Sequence, residues 1–396
     1  RFKCDWSSDV CSSDLQPEVK TITLEENSIL NSDLFTYNAF FKIPAMLNIY
    51  GSIGAWVNQG GIYNPNQGAV VLHNDSSQFA TASGNTQFHN IILDEDVDLL
   101  ITANSHIKIS GAVTLNGIDA TRATVGSISA AENTIEYNGA NQEVVIPNET
   151  TPRYFNLILS GSGTKIMPNV HLNVFGDFIV SNTVTVNLPA KNLNVYGNVT
   201  VNEGTTFAAG TSTINMAGIS GQSIGGTKTS LLLYNLTNSN TTDTVKINIP
   251  SLSLGGNLTN NGVLDFQTNT LNSISGTLAN KGIIRTANTT VTPLPTAKTW
   301  SVVEGENTYG TVEYSGTTAQ TAVAGTYHNL TVANEAGLTA AGNVTMTGNL
   351  ALNKNASTTI GSLDMGAHTR EMGLTGTTTG AGDVSGIVKR TGVFAD

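Results

Sequence analysis

One compound unit recurs along this chain, and its recurrence restricts the fold more than any other feature. It opens with an alternating strand, passes a polar turn ending in Gln, and reaches an aromatic-x-Asn-aliphatic step. One copy runs Val70-Val71-Leu72, Gln78, then Phe88-His89-Asn90-Ile91-Ile92-Leu93. The second runs Ile135-Glu136-Tyr137, Gln142, then Tyr154-Phe155-Asn156-Leu157-Ile158-Leu159. The fourth runs Val312-Glu313-Tyr314, Gln320, then Tyr327-His328-Asn329-Leu330-Thr331-Val332. The third is degenerate: Ile214-Asn215-Met216, Gln222, then Leu233-Tyr234-Asn235-Leu236. Phe88, Asn90, Tyr154, Asn156, Tyr234, Asn235, Tyr327 and Asn329 are therefore read as structural repeat positions. A unit this small cannot bury its apolar face alone, so neighbours must stack on one another.

Shorter rungs lie between these copies. Four begin Gly-Asn-aliphatic, at Gly197, Gly256, Gly342 and Gly348. Four carry Asn-x-Gly, from Asn58, Asn202, Asn260 and Asn280. Asn and Gly tolerate left-handed backbone and make tight corners. Between corners, segments such as Leu172-Asn173-Val174 alternate, which marks strands with one buried face. Helical periodicity is nearly absent; the best candidate is the poorly patterned stretch from Leu30 to Met46.

These signals predict an all-β chain folded as a parallel, right-handed β-helix or solenoid of short strands. The alternative is a string of β-sandwich repeats. The solenoid is preferred because the corners are single Asn or Gly residues rather than hairpin loops. Only Thr292-Pro293-Leu294-Pro295 resembles a linker, and recurrent Asn can form amide ladders along the axis. At ~4.8 Å per coil, about 380 residues in coils of ~20 would make a rod of roughly 90 Å. Uncapped ends of such a rod would self-associate end to end.

The first fifteen residues need a different explanation. Asp5 to Leu15 read DWSSDVCSSDL, which back-translates without strain into a common sequencing-library adapter. Residues 1–15 are thus expected to be an artefact and disordered. Residues 16–46 then form an N-terminal segment and candidate cap, 47–292 the solenoid repeats, and 293–396 their continuation, truncated at the C-terminus. Both cysteines, Cys4 and Cys11, fall in the excluded segment, so no disulfide or thiolate site is expected beyond it. The net charge of −11 becomes −10 once Arg1 and Lys3 leave with Asp5, Asp9 and Asp14.

Charged residues make up 12% of the chain, about half the usual share. Small polar groups supply the solubility instead. The acidic balance, with no Lys/Arg stripe, argues against nucleic acid. No apolar run is long enough for a membrane helix, so no membrane insertion is expected.

At these residues the chain resembles the large repetitive secreted and cell-surface proteins of Bacteroidota. The resemblance is carried by Gly310-Thr311-Val312-Glu313-Tyr314-Ser315-Gly316 and Tyr327-His328-Asn329-Leu330-Thr331-Val332. Ala55-Trp56-Val57-Asn58-Gln59-Gly60-Gly61-Ile62-Tyr63 and Gly382-Asp383-Val384-Ser385-Gly386-Ile387-Val388-Lys389-Arg390-Thr391 add to it. It implies export, extracellular or cell-surface placement, and an adhesin-like or stalk role. The partners it implies are extracellular glycans or host and matrix proteins. The C-terminal sorting domain of that group is missing here.

Candidate chemistry is sparse. Asp94, Glu95, Asp96 and Asp98 form the densest acid cluster and a weak Ca²⁺ candidate, but the glycine spacing of a Ca²⁺ loop is missing. His89 and His328 occupy one repeat position and are read as structural. A glycosidase needs two carboxylates about 5–10 Å apart, which in a solenoid means acids one or two coils apart on one face. Glu136 and Glu313 are repeat equivalents too distant in sequence to meet, and no catalytic residue is assigned. Trp56, Tyr63, Tyr154, Tyr234 and Tyr327 either plug the core or stack on sugars, with the core preferred. No cofactor is expected. The expected role is a non-catalytic structural or adhesive scaffold. The alternatives are a carbohydrate-active β-helix enzyme, such as a polysaccharide lyase or glycoside hydrolase, and a carbohydrate-binding module.

Overall fold

A computed structural model describes residues 3–6, 19–24, 29–31, 46–49, 56–59, 62–64, 67–73, 79–93, 97–115, 125–126, 132–146, 153–208, 210–296, 298–300, 310–352 and 361–391. They are built from strands and turns, with no helix among them. The chain forms two compact units: Arg1–Leu193 with Asn202–Gly210, and Asn194–Val201 with Thr211–Asp396. Each is a parallel β-solenoid.

In the first unit three strands make one coil. Thr134–Tyr137, Gln142–Glu143 and Arg153–Tyr154 follow one another and enter three different sheets. The next coil repeats the order with Asn156–Leu159, Ser162–Ile166 and Leu172–Val174. Each strand pairs parallel with its counterpart one coil on: Thr134 with Asn156, Gln142 with Lys165, Arg153 with Asn173. The second unit follows the same plan. Thr213–Met216, Gln222–Gly225 and Ser230–Leu233 lie beneath Asn235–Asn238, Thr244–Ile247 and Ser251–Leu254. Sandwich repeats would need antiparallel pairs. Among the described residues the one antiparallel pair joins Lys3–Trp6 to Val19–Leu24.

Alternation places the core. Strand after strand shows buried residues at every second position, as in Thr183–Asn187, where Val184 and Val186 are sealed and Thr185 is not. Each such Val or Leu contributes about 1.5–3 kcal/mol on burial, and coils must stack to realise it. The repeat unit proves to be one coil strand plus its counterpart in the next coil. In all four copies the step Asn lies across from the residue that opens the first strand: Ala69 with Asn90, Thr134 with Asn156, Thr213 with Asn235, Thr311 with Asn329.

Lys3–Trp6 was expected to be disordered, yet it forms a strand. The physical reason is local: Val19–Leu24 meets Met46–Ile49 only at Val19, which leaves backbone groups along it open to another extended segment. Val19–Leu24 and Ile29–Asn31 pair parallel with Trp56–Asn58 and Ile62–Asn64. Of the candidate helix, Ile29–Asn31 and Met46–Ile49 are strands, and positions 32–45 lie outside the described residues. The suspected linker is part of a coil: Leu294 is fully buried and the Pro293 carbonyl accepts from Leu271 N–H at 3.2 Å.

Candidate functional site

The polar residues of the repeat converge on the seam between coils. Gln142, Gln222 and Gln320 are all buried and all do one thing. The Gln142 Oε1 accepts from Gly139 N–H at 2.8 Å, while its Nε2 donates to the Ile109 and Gly111 carbonyls one coil earlier. Gln222 repeats this with Gly218 N–H and the Val195 and Gly197 carbonyls. Gln320 does so with Gly316 N–H and the Thr286 and Asn288 carbonyls. The fourth equivalent, Gln78, lies outside the described residues.

A donor from the following coil completes each bracket. Asn240 Nδ2 reaches Gln222 Oε1 and the Ser220 carbonyl; Asn334 Nδ2 reaches Gln320 Oε1 and the Thr318 carbonyl. In the second copy this donor is Lys165, which is completely buried. Its Nζ contacts Gln142 Oε1 at 2.6 Å and the Gly139 and Ala140 carbonyls at 2.6 and 2.9 Å. Burial lowers its pKa to about 8.

Two copies carry a buried pair of tyrosines. Tyr154 Oη donates to the Val145 carbonyl at 2.7 Å, leaving Tyr137 Oη to donate to Tyr154 at 3.0 Å and accept from Val145 N–H at 3.3 Å. Tyr314, Tyr327 and Val323 repeat this circuit. Burial pushes Tyr137 and Tyr314 up to about 12 and their partners well above the usual phenol value. In the other two copies the equivalent positions hold Leu72 and Phe88, and Met216 and Leu233, all buried. Hydroxyls come or go in pairs because a buried hydroxyl left without a partner costs about 1–3 kcal/mol.

The step asparagines share one role. Asn90, Asn156, Asn235 and Asn329 each accept, through Oδ1, the backbone N–H of a residue 20 to 22 positions later, at 2.7–2.9 Å. Asn198, Asn257 and Asn343 of the Gly-Asn rungs do the same for Ser223, Thr277 and Thr369. The expected amide ladder also exists: Asn238 donates to Asn260 at 2.9 Å and Asn260 to Asn280 at 2.8 Å, all fully buried.

Phe88, Tyr154 and Tyr327 plug the core, as do Trp56 and Tyr63. Trp56 packs edge-on against Tyr63 and Phe88, with centroids 4.9 and 4.8 Å apart. Tyr234 is the exception: it is half-buried, and Leu233 fills the buried position. The correction is one of register, since Tyr234 aligns with His89, Phe155 and His328, not with the core aromatics. His89 and His328 bond hydroxyls one coil on, Ser110 at 3.1 Å and Thr347 at 3.0 Å.

Of the proposed Ca²⁺ ligands, Asp94, Glu95 and Asp96 lie outside the described residues, as does the side chain of Asp98. Among the described residues no three His, Cys, Asp or Glu side chains converge. Charge does gather on outer sheet faces. In the first unit His106 Nε2 and Lys108 Nζ lie 2.8 and 3.4 Å from Glu136 Oε2, and Ser160 donates to Oε1. Burial opposes the charge on Glu136, but the His106 and Ser160 contacts and the Lys108 charge hold its pKa at about 2.

In the second unit Lys246, Asp265, Arg285 and Glu313 face one another across consecutive coils, alternating in sign. Arg285 Nε donates to Glu313 at 2.6 Å and Nη1 lies 3.8 Å from Asp265. Sequence reasoning missed this line of acids two coils apart. The Arg285 guanidinium stands between the two acids and is paired with both. A shallow depression in the first unit is lined by Met167, Pro168, Leu172, Leu188, Pro189 and Lys191, among others, none of them acidic.

No protein-family model, no curated protein and no solved structure matches this chain.

Proposed function

We propose that the chain is a structural or adhesive scaffold, a stalk segment of a secreted or surface-displayed bacterial protein, working without catalysis. One observation carries this reading: among the described residues, the polar side chains that recur in the repeat are engaged in bonds between coils. The Gln brackets, the tyrosine circuits and the step asparagines use their donors and acceptors internally, at the same positions in copy after copy. The outward positions left over are mostly Thr, Ser, Asn and Gly, suited to shallow contact with extracellular glycans or with host or matrix proteins. The low charged fraction of 12% and the likeness to Bacteroidota surface repeats support placement outside the cell.

A second reading, a carbohydrate-binding module, is favoured by Phe175. Its ring is 40% exposed and the Arg153 guanidinium lies 6.0 Å from its centroid, an arrangement that can take the flat face of a sugar. Glycan-array binding run beside polysaccharide-degradation assays tests both. Binding without cleavage supports the scaffold; binding abolished by Phe175→Ala selects the module. Released reducing ends or unsaturated uronates sink the non-catalytic reading.

A further inference from the structure

One sheet of the first unit gathers a cation, an aromatic ring and a histidine on its outer face, in a chain whose net charge is −11. His171, Asn173 and Phe175 alternate with the buried Leu172 and Val174, so the three share that face. At about 3.3 Å per residue the row is roughly 13 Å long, enough for more than one linked sugar ring. Arg153 lies across from Asn173 on the preceding coil, and its guanidinium reaches over the Phe175 ring, 6.0 Å from the centroid. The shallow depression lined by Leu172, Lys191 and Asn192 adjoins the other end of the row, where Asn192 N–H donates to His171 Nδ1 at 3.1 Å.

These groups favour a ligand rich in acceptors. His171 Nδ1 is already used as an acceptor, so the ring proton sits on Nε2, which is then a donor. Arg153 carries five N–H donors in a planar fork that matches a carboxylate. Lys191 adds a second cation. No Asp or Glu occurs in residues 153–155, 171–175 or 191–193. The first carboxylate after Phe175, Asp177, follows the bend at Gly176, and Phe178–Val180 beyond it belongs to another sheet. A local excess of positive charge on an acidic chain draws anions to that face. The exposed part of the Phe175 ring offers an apolar plate to the C–H face of a pyranose.

We propose that this row binds a polyuronate, an acidic polysaccharide whose carboxylates are taken by Arg153 and Lys191 while a sugar ring stacks on Phe175. The proposal rests on the carbohydrate-binding reading above and names its ligand class. A polyuronate carries a carboxylate on every sugar, so one chain answers both cations at once. A neutral glycan offers only hydroxyls, which suit His171 and Asn173 but leave the two positive charges unmatched.

The test is calorimetric titration of the full chain with alginate oligosaccharides and with neutral mannan oligosaccharides of equal length. The uronate is expected to bind at least about tenfold more tightly, and less tightly in ~0.5 M than in ~0.05 M salt. Arg153→Gln should remove that preference and leave neutral binding as it was. Arg153→Lys, which keeps the charge but loses the fork, should restore the preference only in part. Phe175→Ala should abolish binding of both sugars, and Lys246→Gln in the second unit should change neither, with circular dichroism constant throughout. Equal affinity for the two sugars, or uronate binding indifferent to Arg153→Gln, overturns the acidic-glycan proposal and leaves the carbohydrate-binding reading standing. Uronate binding that survives Phe175→Ala overturns it too, since charge alone then holds the ligand. Failure to bind either sugar overturns both readings and leaves only the scaffold.

Discussion

A buried glutamine brings three hydrogen-bonding groups into the core, and each needs a partner. In Gln320 all three are met by backbone: two carbonyls of the preceding coil and one N–H of its own turn. Gln320→Leu leaves Gly316 N–H and the Asn288 carbonyl unmet and is expected to cost about 2–4 kcal/mol in urea unfolding. The tyrosine circuit predicts coupling. Tyr314→Phe and Tyr327→Phe should each cost about 1–2 kcal/mol, and the double variant clearly less than their sum, because each hydroxyl is the other's partner. A strictly additive double-mutant cycle would contradict the circuit.

Lys165 makes a pH prediction at the same scale. Its folded pKa of about 8 lies below the unfolded value of ~10.4. Between these values the unfolded chain binds more protons, so stability rises with pH across that window and is lowest below it. Melting temperature should climb from pH 8 toward pH 10, and Lys165→Met should flatten the climb. Above pH 10 the buried tyrosines work in the opposite direction, because unfolded phenols ionise first. Glu136 has the acid counterpart: with a folded pKa of about 2, its contribution is lost as pH falls from ~4.3 toward 2, and Glu136→Gln should remove that limb.

At the scale of the coil, glycine acts mainly through closeness. Gly262 has no left-handed φ, but a Cβ there would lie 1.8 Å from the Asn240 carbonyl oxygen. Gly256 and Gly348 meet the rings of Tyr234 and His328 stacked over them from the previous coil. This is why Gly precedes Asn in those rungs: the ring lies on the glycine while the step Asn caps the next N–H. Gly262→Ala is therefore expected to cost about 1–3 kcal/mol or more through overpacking. Gly366, at φ 52° with nothing within 4 Å, should cost only about 1 kcal/mol through backbone strain. Equal losses at the two sites would show that coil spacing is not what selects glycine.

At the scale of the molecule, a solenoid's contacts are between neighbouring coils. Disturbing the buried amide ladder with Asn260→Ala should thus raise hydrogen exchange mainly around Asn238, Asn280 and the strands beside them, leaving Thr377–Gly380 unchanged. Uniform loss of protection across the second unit would mean that it opens as a single block.

The sequence by itself determined the class of architecture. Period-two alternation set one buried face per strand, single Asn and Gly corners excluded hairpins, and the recurrence of Tyr154-Phe155-Asn156 and its kin required stacked coils. The positions of Asn156 and Gln142 were legible because each copy faces the same physical demand at its seam. Tertiary structure alone decided which seams meet. Coil length varies, with Arg285 and Glu313 28 residues apart but Asn329 and Asn349 only 20, so spacing could not align Lys246, Asp265, Arg285 and Glu313. Nor could it show Lys165 standing where Asn240 and Asn334 stand in later coils, or Tyr234 sliding out of the core position that Leu233 fills. Alternation depends on one strand's own residues and can be read from one strand. Partnership across coils depends on the register of two strands, and only the folded chain sets that.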